Sequence, residues 1–176
     1  MSQMNPNFWW LYTLMYPLGG LADDDAYIGT FDWLNPNDEA AMRGLIREHF
    51  VTSANTMHPR IRERVLLTYR YFLSKPYDDW GDLFDSNLFP FEHPDDPRDF
   101  FLWLFQECFP TEAWLLPNWE TYELKVDIDE PHRLDSEIYL SATGDRVNIA
   151  TDGIDGNRRD LPTHPGSAQT PPPKLS

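Results

Sequence analysis

Cys108 together with any of His49, His58, His93, His132 or His164 could supply a thiolate–imidazole nucleophile, and the same side chains are those a zinc ion would use. Neither chemistry fits their placement. The histidines show no close ligand spacing, and the chain has one cysteine, so a zinc site and an intramolecular disulfide both lack ligands. Cys108 lies in the run FFLWLFQECF from Phe100 to Phe109, where a thiol behaves as a small hydrophobe and its pKa rises. Asp152-Gly153-Ile154-Asp155-Gly156-Asn157 has the glycine and acids of a calcium loop, but Ile154 and Gly156 stand where oxygen donors are needed. Paired carboxylates for glycoside chemistry exist in any chain with 29 acids and therefore carry no information. No Gly-rich phosphate loop, GxSxG or kinase signature is present. The expectation is a protein with no catalytic residues, no metal and no cofactor.

One stretch has residue types suited to binding. From Pro76 to Asp99, eight acids (Asp78, Asp79, Asp82, Asp85, Glu92, Asp95, Asp96 and Asp99) face one basic residue, Arg98, and are interleaved with Tyr77, Trp80, Phe84, Phe89 and Phe91. Large rings surrounded by charge are what fast, tight binders use: the rings anchor and the charges steer. The expected contact set is Asp78, Asp79, Trp80, Asp82, Phe84, Asp85, Phe89 and Glu92. The bland alternative is a long loop whose rings pack on the core while its acids face water or pair with a basic helix before it.

The net charge of −15 repels phosphates and anionic lipids, so direct nucleic-acid or membrane binding is disfavoured and a basic protein partner is favoured. The apolar stretch from Phe8 to Leu21 is shorter than the roughly 20 residues a span needs and has no basic flank, because the first basic residue is Arg43. It reads as core, and the free cysteine suits a cytoplasmic protein.

Three helices must position these groups. One starts at Asn37 or Asp38, with Met42, Leu45, Ile46, His49 and Phe50 on one face. The second spans about Pro59 to Ser74, with a stripe of Ile61, Val65, Tyr69 and Phe72 and a basic surface of Arg60, Arg62, Arg64 and Arg70. It is the expected internal counterpart of the acidic segment. The third opens at Asp96-Pro97 and is apolar on nearly every side, so core or a partner must cover it. Phe8 to Tyr16 is open between strand and helix, Tyr27 to Leu34 reads as a short extended piece, and Thr111 can cap a turn through Leu116.

Beyond Trp119 the pattern changes. Tyr122, Leu124, Val126 and Ile128 alternate with polar residues as in a half-buried strand, and Glu137–Ala142 with Arg146–Thr151 read as a β-hairpin across Thr143-Gly144-Asp145. The expected fold is α+β: a helical centre, a small antiparallel sheet mostly from the C-terminal third, one acidic domain over 1–155, and a disordered proline-rich tail over 156–176. In size, acidity and lack of catalytic motifs the chain resembles the immunity proteins that accompany bacterial toxins, a likeness of general character with no alignable motif. It implies a small inhibitor that neutralises a basic, toxin-like or nuclease-like partner by occluding its active site. A DNA mimic that blocks a nucleic-acid-binding protein is the alternative, followed by an enzyme with an unfamiliar site and by an assembly or adaptor protein; the oligomeric state stays open.

Overall fold

The structure, a computed structural model, describes residues 4–143. The chain divides after Gly144 into two units, and the described residues belong to the first. A 3-10 turn, Phe8–Trp10, leads into α1 (Leu11–Met15); α2 (Glu39–His49) and α3 (Val51–Thr56) come next, then α4 (Pro59–Ser74), α5 (Trp80–Asp85), α6 (Pro97–Cys108) and α7 (Asp129–Thr143).

Local chemistry starts these helices where the sequence places their caps. The Asp38 carboxylate accepts from the amides of Ala40 and Ala41 at 3.0 and 3.2 Å, satisfying two donors that would otherwise lack partners at the head of α2. Asp96 accepts from Arg98 N at 3.0 Å, and Pro97 takes the first turn of α6, where a missing N–H costs nothing. In α4, His58 accepts from Arg60 N through Nδ1 and Pro59 opens the helix.

Helix α6 is the centre of the core and touches α2, α3, α4 and α5. Phe100, Phe101, Leu104, Phe105 and Phe109 have no exposed surface, and each such side chain contributes about 1.5–3 kcal/mol of burial free energy. The helix that needed a cover is covered by its own chain. Phe8–Tyr16, left open between strand and helix, is helical, and Tyr69 Oη donates to Leu11 O at 2.9 Å to fix α1 on α4.

The expected α+β fold with its antiparallel sheet is corrected by the structure: no strand occurs among the described residues. Between Tyr122 and Ile128 the one backbone pairing is with the chain at Asn7, through Phe8 N to Lys125 O (3.0 Å) and Lys125 N to Pro6 O (2.9 Å). The facing segment turns helical at Phe8, so the ladder stops after one pair. Glu137–Ala142 belongs to α7, not to a hairpin arm. The signals were an acid whose side chain accepts from Asp129 N (Asp127, 3.1 Å), a proline in the first turn (Pro131), and Leu134 and Ile138 four apart against the core. The other arm, Arg146–Thr151, the Asp152 loop and the 156–176 tail lie outside the described residues. Tyr27–Leu34 forms successive turns rather than an extended piece, and no helix forms over 111–116.

Asn7 is fully buried and ties three parts together. Its side-chain amide donates to Asp127 O (2.8 Å) and Glu130 Oε2 (2.7 Å), while its backbone N donates to Thr68 Oγ1 (3.3 Å) on α4.

Candidate functional site

The acidic segment folds as α5 and the turns after it, and it sorts its side chains by chemistry. Trp80, Phe84 and Phe89 are 4%, 3% and 6% exposed, so these three rings sit in the core rather than at the surface. Trp80 packs on Phe101 at 4.7 Å, Phe84 meets Phe100 edge-on at 5.0 Å, and Phe89 stacks on Phe91 at 5.2 Å. The carboxylates of Asp78, Asp79, Asp82, Asp85 and Glu92 are all exposed, as are Asp95 and Asp96. Burial holds the Tyr77 phenol above its ordinary pKa, and the negative field of Asp79, of Tyr12 and of Asp82 adds to that.

No ion pair forms on these acids among the described residues. The basic helix expected to balance them pairs elsewhere: Arg60 with Glu137 (2.9 Å), Arg62 with Glu112 (3.7 Å) and Arg64 with Glu130 (3.3 Å). Arg70 donates to Leu115 O, and Lys75 lies over the rings of Tyr71, Phe72 and Tyr77. Arg98, within the acidic segment, donates to Leu73 O and lies over Trp114. Within the segment the charge of Arg98 acts on Asp99, while the acids from Asp78 to Asp96 form no ion pair among the described residues.

A second loop completes this face, and sequence reasoning missed it. Gly20 N donates to Asn87 O (2.6 Å) and Ala22 N to Leu88 O (2.9 Å), which lays residues 20–22 beside 87–88; Gly20 turns at φ 79, a conformation glycine adopts freely. The loop brings Asp23, Asp24 and Asp25, all exposed, together with Ile28 at 71% exposure. A cleft of about 490 Å³ opens between the two segments, with Ala22, Asp85, Leu88, Glu92 and Asp95 around it and Phe84, Phe89 and Phe91 behind. Leu88 is 46% exposed and held at φ 50, a left-handed backbone that costs a residue with a Cβ about 1–3 kcal/mol. The structure thus gathers Asp85 and Glu92 at the cleft, while the charges of Asp79 and Asp82 act on Tyr77. Only a triple-Asp turn before a Tyr-Ile pair hinted at the second loop, and nothing local placed it beside Leu88.

The remaining chemistry-bearing groups are accounted for by packing. Cys108 is 3% exposed, and burial, with a smaller push from Glu107, drives its thiol up to about 12. Among the described residues no group of three or more His, Cys, Asp and Glu is placed to hold a metal ion. No described helix is long and apolar enough to cross a membrane.

Neither protein-family models, nor curated proteins, nor solved structures give a match to this chain.

Proposed function

We propose that this chain is an acidic protein-binding inhibitor that neutralises a basic, toxin-like or nuclease-like partner by laying its acidic face over the partner's active site. One observation carries this reading: the exposed carboxylates from Asp78 to Asp96 form no ion pair among the described residues, while the arginines of the neighbouring α4 hold other acids and carbonyls. Holding like charges together without counter-charges opposes folding through mutual repulsion, and a cationic surface removes that cost on binding. The apolar contact comes from Leu88 and Ile28 rather than from the buried rings, with Leu88 already held in a strained backbone that presents it. A reducing, cytoplasmic setting accompanies this reading, because the single thiol is buried and unpaired.

The test is capture of partners from the source cells at low salt, then elution with rising salt and a binding assay with the Asp85→Lys, Glu92→Lys, Asp95→Lys variant. A basic protein that is released by salt, is inhibited by the wild-type chain and escapes the variant supports the proposal. A partner that binds wild type and variant equally well overturns it.

A further inference from the structure

A groove of about 670 Å³ lies between the N-terminal turn, the α3–α4 junction and the first half of α7, and Tyr12 on its wall reaches Ser86 of the acidic segment (Oη to Oγ, 3.3 Å). That volume suits a small organic ligand or one long side chain. Four rings line it: Trp9, Trp10, Tyr12 and Tyr16. Trp9 and Tyr12 stack at 5.4 Å and 28°, Trp10 is buried, and Tyr16 is 83% exposed.

Its charge is as informative as its rings. No lysine or arginine lines the groove; its carboxylate is the exposed Asp135 on α7, and two imidazoles, His58 and His132, share the lining. The arginines closest in sequence are already engaged: Arg60 with Glu137, Arg62 with Glu112, Arg64 with Glu130 and Arg133 with Asp127. Asp135 takes part in no ion pair among the described residues. His58 accepts from Arg60 N through Nδ1 at 3.2 Å, which caps α4. The positive end of α7 at the groove is offset by Asp129 and Glu130 in its first turn.

We infer that this groove binds an organic cation with an apolar shell, a quaternary or methylated ammonium group, held against the rings with Asp135 as its counter-charge. Ring faces attract a weakly hydrated cation through their quadrupole, and a strongly acidic chain raises its local concentration. A primary ammonium is held less well, because its three N–H groups must give up water for rings that cannot replace those hydrogen bonds. An anionic ligand meets Asp135 and the net charge of −15, and a second copy of this chain meets the same repulsion. The group can come from a free small molecule such as choline or from a methylated lysine of a protein.

The experiment titrates the full chain with choline and with 3,3-dimethylbutan-1-ol, its uncharged isostere, monitoring the indole N–H resonances of Trp9 and Trp10 by NMR. Choline is expected to shift these signals and to bind about tenfold tighter than the isostere. Asp135→Asn and Tyr16→Leu, both at exposed positions, each weaken choline binding several-fold without moving the thermal midpoint. Equal binding of the isostere, or no binding of either, overturns the inference. A trimethyllysine peptide that binds tighter than choline assigns the ligand to a modified protein; the reverse order assigns it to a small metabolite. Choline binding persists in the Asp85→Lys, Glu92→Lys, Asp95→Lys variant, and its loss there would place the cation on the acidic face and overturn the groove.

Discussion

Helix α4 and the segment from Pro76 to Asp96 divide their side chains alike, with rings inward and charges outward. They differ in what happens to the charges. On α4 the arginines reach acids and carbonyls of the same chain: Arg60 to α7, Arg62 to Glu112, Arg64 to Glu130 and Arg70 to Leu115 O. On the acidic segment no carboxylate reaches a cation among the described residues. A charged surface whose charges are internally paired belongs to the fold, and one whose charges stand open is available to a partner. The distinction rests on geometry, since both stretches are charged and aromatic in sequence.

The largest test of this comparison is on the rings. Trp80→Ala is expected to destabilise the protein by about 3–5 kcal/mol in urea unfolding, as for any buried large aromatic. A fully stable Trp80→Ala variant would return the ring to the surface as an anchor. Next comes the open charge: Asp85→Lys, Glu92→Lys, Asp95→Lys should slow association with a cationic partner by about tenfold at low salt, the deficit shrinking as salt rises. The same variant should raise unfolding free energy slightly, by about 0.5 kcal/mol, because these exposed positions form no ion pair among the described residues and the substitutions relieve their mutual repulsion. On the closed side, a double-mutant cycle with Arg60→Ala and Glu137→Ala should return a coupling of about 0.2–1 kcal/mol, the range of exposed pairs. A coupling of zero would remove α7 as the destination of that charge.

The smallest effect separates two tyrosines. Tyr71 on α4 is held above its ordinary pKa by burial alone, whereas Tyr77 is raised by burial first and then by Asp79, Tyr12 and Asp82. Asp79→Asn with Asp82→Asn should lower the Tyr77 midpoint in an NMR titration and leave Tyr71 unmoved. For both phenols the folded state holds the proton to higher pH than the unfolded chain. Their contribution to stability is complete below the unfolded tyrosine pKa of about 10 and is lost as pH rises through the folded value. A Tyr77 midpoint indifferent to those substitutions would mean that the acids do not act as a group.

What could be read from the sequence was whatever a few neighbouring residues decide. Asp38, Pro59 and Asp96-Pro97 start their helices through side chains and amides two or three positions away, and the stripes of α2, α4 and α6 lie on the faces that are buried. The sheet failed for the opposite reason. Strand pairing needs a distant partner, and this stretch pairs only at Lys125 with Asn7; Tyr122 and Leu124 still pack on the core, while Val126 and Ile128 are 69% and 54% exposed. At α7, Thr143-Gly144-Asp145 suggested a hairpin turn and hid a helix whose start Asp127 marks as Asp96 does, by accepting from the amide two positions on, with Pro131 in its first turn. In the acidic segment the exposure of the acids was legible from their charge. Where the rings go was not, because it depends on α6, and the loop carrying Ile28 reaches Leu88 only through tertiary hydrogen bonds.

The latch made by Asn7 also constrains the order in which this chain assembles. Its amide partners lie 120 and 123 positions downstream, so the contact cannot form during synthesis until nearly the whole described region has been made. Closing so long a loop costs entropy before any contact repays it, and long sequence separation between partners slows folding. Helices α1, α4 and α6 can collapse on one another beforehand, but Asn7 then waits with its amide unsatisfied. A nascent chain interrupted before Asp127 would hold its aromatic core and lack the polar contact that seals it.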